Sequence, residues 1–151
     1  MRTVKNIIDK KSKISNIISP DTLVIDALKM MIDVNLSYLV VMDGDKYKGI
    51  FSERDYSRNV ILKGRASNTT TVKEVMTTEV PVVDFTDTVE HCMTLLNTYK
   101  TRYLLVYNDE GFAGVITIND LLRQVINNKE NVFDHEIASQ LIEANENDRV
   151  F

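Results

Sequence analysis

A single cysteine, Cys92, leaves no internal disulfide to stabilise this chain, and two histidines, His91 and His135, are too few for a zinc centre. There is no Gly-x-Gly-x-x-Gly, no phosphate-binding P-loop, no Gly-x-Ser-x-Gly and no Cys-x-x-Cys, so no motif points to an activated nucleophile or a redox centre. The expectation is a protein that is not an enzyme. Long apolar runs are missing as well. Stretches such as Ser37 to Met42 fall far short of the ~20 residues of a membrane span, and Met1-Arg2-Thr3-Val4-Lys5 lacks the apolar core of a signal peptide. A cytoplasmic protein with no membrane partner is expected. Nor is there an excess of positive charge: a formal net charge of −4 argues against a nucleic-acid scaffold, which needs a basic face for phosphates. Lys63, Arg65 and Lys73 are the one local basic stretch, either a solvated linker or a small patch for nucleic acid.

What is present is enough apolar material for one sizeable core or two half-size units: 151 residues, 44% apolar and 26% charged. The pattern is also doubled. Gly49-Ile50-Phe51-Ser52-Glu53-Arg54-Asp55 returns as Gly114-Val115-Ile116-Thr117-Ile118-Asn119-Asp120, 65 positions on. Each copy runs from glycine through two apolar residues to a hydroxyl and then an aspartate three residues further, as a strand does when it hands over to a helix. The same shift superposes Val24 on Val89, Tyr38 on Tyr103, Leu39 on Leu104, Arg58 on Arg123 and Val60 on Val125 without a gap. Such a repeat implies two supersecondary units burying their apolar faces about a pseudo-two-fold axis.

Within a copy the elements follow from spacing. Val4, Ile7 and Ile8 suit a short helical turn, matched by Val72-Lys73-Glu74-Val75-Met76 before the second copy. Ile14, Ile17 and Ile18 read as a short strand after the lysine-rich Lys10-Lys11-Ser12-Lys13, and Ser19-Pro20-Asp21-Thr22 as a turn and helix N-cap. Val24, Ala27, Leu28, Met31 and Val34 form a helical apolar stripe, and Val89, Cys92, Met93, Leu96 and Tyr99 repeat it, so Cys92 reads as a small buried hydrophobe with His91 exposed. Two β-rich stretches joined at Asp43-Gly44-Asp45 predict a hairpin. Arg54 to Leu62 predicts a helix with Tyr56, Val60 and Ile61 inward and Arg58 on a solvated face, stopped by Lys63-Gly64-Arg65. The resulting organisation is a first unit at 1–65, a linker at 66–71, a second unit at 72–127 and a partly helical tail at 128–151. In that tail Ile137, Leu141 and Ile142 cover either an edge of the same subunit or a second subunit.

Two copies of this order, each with Gly-h-h-Ser/Thr-x-x-Asp at the last strand-to-helix junction, resemble a pair of cystathionine-β-synthase (CBS) domains over about residues 3 to 127. The mixed α/β (α+β) fold implied is two tandem β-α-β-β-α repeats, as in stand-alone bacterial-type CBS-domain proteins. The chain departs from the family pattern where Val40 and Leu105 occupy a middle-strand position that often holds proline. The resemblance implies an adenosyl ligand such as AMP, ADP, ATP, NAD or S-adenosylmethionine in clefts between the paired domains. It also implies a homodimer and a regulatory role exerted on a separate protein.

Carried onto these residues, Asp55 and Asp120 become the acceptors for ribose hydroxyls. Ser52 and Thr117 would lie beside sugar or phosphate, and Ile17 and Tyr38, or Val82 and Tyr103, beside the base. Arg54 and Arg102 are phosphate candidates. Asn119 stands where the first copy has Arg54, so the copies need not bind the same ligand, and Arg54 favours a polyphosphate at the first. The spacing is equally that of a helix capping box, and a cap and a ligand can coexist. A ligand-less oligomerisation module is the alternative reading.

Overall fold

The computed structural model describes residues 2–11 and 16–128, so Ile14 and the expectations for Ile137, Leu141 and Ile142 lie outside the described residues. Each copy builds its own three-stranded sheet. In the first, β1 (Ile17–Ile18) runs parallel to β2 (Tyr38–Asp43), and β2 is antiparallel to β3 (Lys46–Ser52). The hairpin turns at Gly44 and Asp45, where Gly44 takes φ 63°, open to glycine without strain. In the second, β4 (Val82–Asp84), β5 (Tyr103–Asn108) and β6 (Gly111–Thr117) repeat the order and the directions. A register shift recurs at the matching place, after Val41 and after Val106.

Helices cross from β1 to β2 and from β4 to β5. The first, α2, covers Val24–Val34 and α4 covers Val89–Tyr99. Their stripes bury Val24, Ala27 and Met31 in one copy and Val89, Cys92, Met93 and Leu96 in the other. Tyr99 departs from the expected stripe: it is the last helical residue and is 64% exposed. Burial pushes the Cys92 thiol up to about 12, with the Asp87 charge adding to it, so the cysteine is an inert core residue.

Helix starts differ between copies in a way the sequence pattern does not show. Thr88 caps α4 by accepting from the His91 N–H at 3.0 Å. Its counterpart is Leu23, which cannot, and the expected Asp21 and Thr22 do not serve either. Instead the carbonyls of Thr70 and Ser67 accept from the Val24 and Ile25 N–H groups at 2.8 and 2.9 Å. The small polar stretch read as a linker therefore caps a helix with its backbone.

The described residues group into two compact units, 16–79 and 2–11 with 80–128. These are not the two sequence repeats, because each lead-in segment belongs to the unit of the other copy. Helix α1 (Val4–Lys10) packs Val4 and Ile7 into the core of Val83, Leu104, Ile116 and Leu121. The short 3₁₀ turn Val72–Glu74 brings Val72 and Val75 to the core of Leu39, Val41, Phe51 and Val60. Both lead-ins begin with the same device, an N3 side chain accepting from the N-cap amide: Asn6 from Thr3 at 3.0 Å and Glu74 from Thr71 at 2.7 Å. Backbone bridges tie Thr3 to Thr88 and Thr71 to Leu23. Among the described residues no helix is long and apolar enough to cross a membrane.

Candidate functional site

Parallel pairing of β1 with β2 and antiparallel pairing of β2 with β3 put the start of β1, the start of β2 and the end of β3 at one edge of the sheet. At that edge Tyr38 lies directly opposite Ser52, and Ile17 pairs two residues further along β2, opposite Val40. The chain then enters α3 (Glu53–Asp55), with Ser52 as N-cap. The Ser52 N–H and Oγ–H both donate to Asp55 Oδ2 at 2.9 Å, and the Asp55 N–H donates back to Ser52 Oγ at 3.2 Å. The third partner comes from the lead-in of the other copy: the Thr77 hydroxyl donates to Asp55 Oδ1 at 2.6 Å. Thr77 is placed by a two-way backbone bridge to Ile50. Gly49 lets that segment approach, since a Cβ there would stand 2.7 Å from Met76 Sδ and 2.9 Å from the Thr77 carbonyl.

In the second copy Tyr103 lies opposite Thr117, the N–H of Thr117 donates to Asp120 Oδ2 at 2.9 Å, and the Asp120 N–H returns a bond to Thr117 Oγ1 at 3.2 Å. The remaining partners are cations. Lys11 Nζ reaches Asp120 Oδ2 at 2.8 Å and the Val115 carbonyl at 2.7 Å. Arg123, on an exposed helix face, donates its Nη2–H to Asp120 Oδ1 at 2.9 Å. Helix α5 (Ile118–Asn128) is regular and brings Arg123 over the aspartate at i+3. In the first copy the expected helix from Arg54 to Leu62 changes winding after Asp55 and continues as a π-type segment over Tyr56–Ile61, with i→i−5 bonds such as Leu62 N–H to Ser57 O. There Val60 is buried and Ile61 is 54% exposed, against the inward placement expected of it. Among the described residues no cation bonds to Asp55.

Two buried aspartates on one motif thus differ in charge balance. Burial raises the Asp55 carboxyl above its ordinary value, outweighing the Thr77 and Ser52 bonds and the nearby Arg54 charge. Burial acts the same way on Asp120, but the Lys11 charge and hydrogen bond, with the Thr117 bonds, bring it below the ordinary value. The linkage signs are opposite. Asp55 binds its proton more readily when folded, so its contribution to stability is fully present below 3.8, its unperturbed value, and is lost as pH rises through the higher folded value. Asp120 contributes stability present above 3.8 and lost as pH falls through its lower folded value. Lys11→Met is therefore expected to cost about 1–2 kcal/mol at neutral pH in urea melts, less than a fully buried pair because Arg123 remains. That cost should shrink as falling pH protonates Asp120; a cost that stays constant down to the acid limit of the folded state would contradict the ion pair.

The other expected site residues fall around these junctions. Ile17 and Val82 are 55% and 56% exposed on strands whose next residues, Ile18 and Val83, are core, so each copy leaves one apolar side chain uncovered at the same place. Tyr38 is buried, Tyr103, Arg54 and Arg102 are half-buried, and Asn119 is exposed. The Arg102 carbonyl accepts from the Ile118 N–H at 3.0 Å, which fixes Arg102 beside the start of α5. The basic stretch is partly neutralised: Lys73 pairs with Asp21 at 3.0 Å and Arg65 bonds the Glu74 carbonyl. Lys11 and Thr77, which distinguish the aspartates, escaped motif reasoning because both come from lead-ins. A signal existed in the repeat offset. Val72 follows Val4 by 68 positions, whereas Val89 follows Val24 by 65. Three surplus residues thus lie between the lead-in and β1 of the first copy, in the lysine-rich stretch that supplies Lys11.

Comparison with known proteins agrees with this architecture. A family model described as "CBS domain" matches the chain twice, over residues 4–61 and 72–127. The Arabidopsis thaliana "CBS domain-containing protein CBSX3, mitochondrial" is 34% identical over 111 residues, 70% of this chain and 54% of that protein, so this chain spans about half the length of that relative. The solved structure of a CBS-domain protein from Burkholderia ambifaria MC40-6 is similar at a TM-score of 0.77, with 34% identity over 88% of this chain and 100% of that one. The structure of CBSX2 in complex with AMP has a TM-score of 0.68 and 26% identity, covering 85% of this chain and 98% of that one.

Proposed function

The chain belongs to the CBS-domain family, and from that premise we propose that it is a regulatory module that binds an adenine nucleotide (AMP, ADP, ATP or NAD) and passes its state to a separate protein. The observation that carries this reading is the Asp55 junction: a buried, rigidly held carboxylate whose outward partner is a neutral hydroxyl. A ribose hydroxyl can replace the Thr77 hydroxyl like for like, O–H for O–H, and gains a charge-assisted bond without breaking an ion pair. Uncovered Ile17 at the same sheet edge offers apolar surface to a base, and half-buried Arg54 adds a cation for phosphate. The similarity to CBSX2, solved with AMP, supports the same ligand class.

No catalytic step is assigned to the module. Ligand binding acts by favouring one arrangement of the protein over another, which requires different affinities for the two. It works in the cytoplasm as a homodimer, for which exposed Ile32, Leu62 and Ile126 supply apolar surface. Titration calorimetry of the full chain with AMP, ATP and NAD tests the reading. Saturable binding below about 1 mM, worth roughly 4 kcal/mol, is the expected result. Absence of heat from all three nucleotides in the millimolar range overturns it.

A further inference from the structure

Lys11 stands in the second copy where a ligand would have to stand. Its ammonium donates to Asp120 Oδ2 at 2.8 Å and to the Val115 carbonyl of β6 at 2.7 Å, while Arg123 holds Oδ1 at 2.9 Å. Both carboxylate oxygens therefore carry a cation, and the aspartate is only 7% exposed. The lysine is itself largely covered, 28% exposed, and follows directly on helix α1, whose Val4 and Ile7 are anchored in the same core. At the matching position of the first copy, the lead-in supplies a neutral hydroxyl from Thr77.

We propose that Lys11 is a built-in competitor for the second copy's ribose-binding carboxylate, making the two nucleotide sites unequal and coupling occupancy of the second to release of Lys11. The inference rests on the adenine-nucleotide reading above and adds which site fills first and what the second must displace. A nucleoside at Asp55 exchanges one hydroxyl for another. At Asp120 it must separate a buried carboxylate from an ammonium, and the hydroxyls it offers carry no charge to replace the one removed. Occupancy of the second site also detaches the residue that ties the end of α1 to β6. A ligand-dependent signal can leave the module by that route.

The test is calorimetric titration with AMP of the wild-type chain, of Lys11→Met, and of Lys11→Met combined with Asp55→Ala, which leaves the second site alone to be read. Methionine keeps the aliphatic length and removes the charge, and a cooperative melt confirms folding. The wild type is expected to bind one AMP per chain tightly and a second weakly. In Lys11→Met the second binding tightens about tenfold, within the usual range of coupling between sites, while the first is unchanged. The double variant retains that tightened site. A second site left unchanged in Lys11→Met overturns the proposal, and so does a weakened one, which would make Lys11 a ligand for the phosphate. Silence of wild type and variants alike overturns the adenine-nucleotide reading and this inference together. Binding by the wild type with an unmoved second site overturns this inference alone.

Discussion

Asp55→Ala is expected to weaken adenine-nucleotide binding by about a hundredfold or more. Each hydrogen bond from a neutral hydroxyl to an ionised carboxylate contributes ~1.5–3 kcal/mol, and a ribose can donate two. Loss of both exceeds the 1.4 kcal/mol per decade needed for two decades of affinity. Alanine also removes the reciprocal half of the capping box on α3, because Asp55 Oδ2 accepts both the amide and the hydroxyl of Ser52, while Ser52 Oγ still accepts from the backbone N–H of residue 55. Loss of those hydrogen bonds costs about 1–3 kcal/mol of stability. Asp55→Asn separates the two effects, since its one remaining carbonyl oxygen can still accept from the Ser52 amide while the charge is gone. Both variants should bind poorly and only alanine should melt markedly earlier. Unchanged affinity in Asp55→Ala, measured by calorimetry, would remove Asp55 from the ligand site.

The second large effect is expected from a single methyl group. Gly49→Ala should destabilise the fold by about 2–3 kcal/mol in urea melts, at the upper end of overpacking costs, because the new Cβ meets both a side chain and a backbone carbonyl. The side chain, Met76 at 2.7 Å, can move; the Thr77 carbonyl at 2.9 Å is bonded to the Ile50 amide and cannot without breaking the bridge. Met76→Ala in the same chain should therefore restore only part of the loss. Because Thr77 also bonds Asp55, the displaced segment carries the effect into the site, and nucleotide affinity should fall with stability. Gly114 is held for a different reason: its φ of 152° disfavours a side chain, while the nearest atom to a Cβ is Ile8 Cδ1 at 3.4 Å. A Gly49→Ala protein as stable as the wild type would refute the close approach.

One sequence shift was enough to place both sheets, both crossover helices and both Ser/Thr-x-x-Asp junctions, because β-alternation, helical spacing and glycine turns are local properties. Features that depend on distant chain were not legible. The cap of α2 consists of the Ser67 and Thr70 carbonyls, and a backbone acceptor leaves no mark on residue type. The change of winding at Tyr56 preserves apolar spacing closely enough to read as an ordinary helix, yet it accompanies an Asp55 to which no cation hydrogen-bonds among the described residues. Arg58 and Arg123 are identical in sequence and both exposed, but only Arg123 hydrogen-bonds the aspartate of its own copy among the described residues. Lys11 and Thr77 arrive from lead-ins packed on the opposite copy, which no motif window of one copy contains.

That exchange of lead-ins also orders events on the ribosome. The unit formed by 16–79 is continuous in the chain, so every partner of its core is available once residue 79 has emerged. The other unit is not. Its Thr3 pairs with Thr88 and its Lys11 with Asp120, so α1 must wait, unpartnered, for more than a hundred residues of synthesis before its carboxylate exists. Domains complete early during translation fold first, and contacts of long sequence separation close late. Segment 2–11 is thus placed only after residues far along the chain, and the core around Asp55 has all its partners before Asp120 is made.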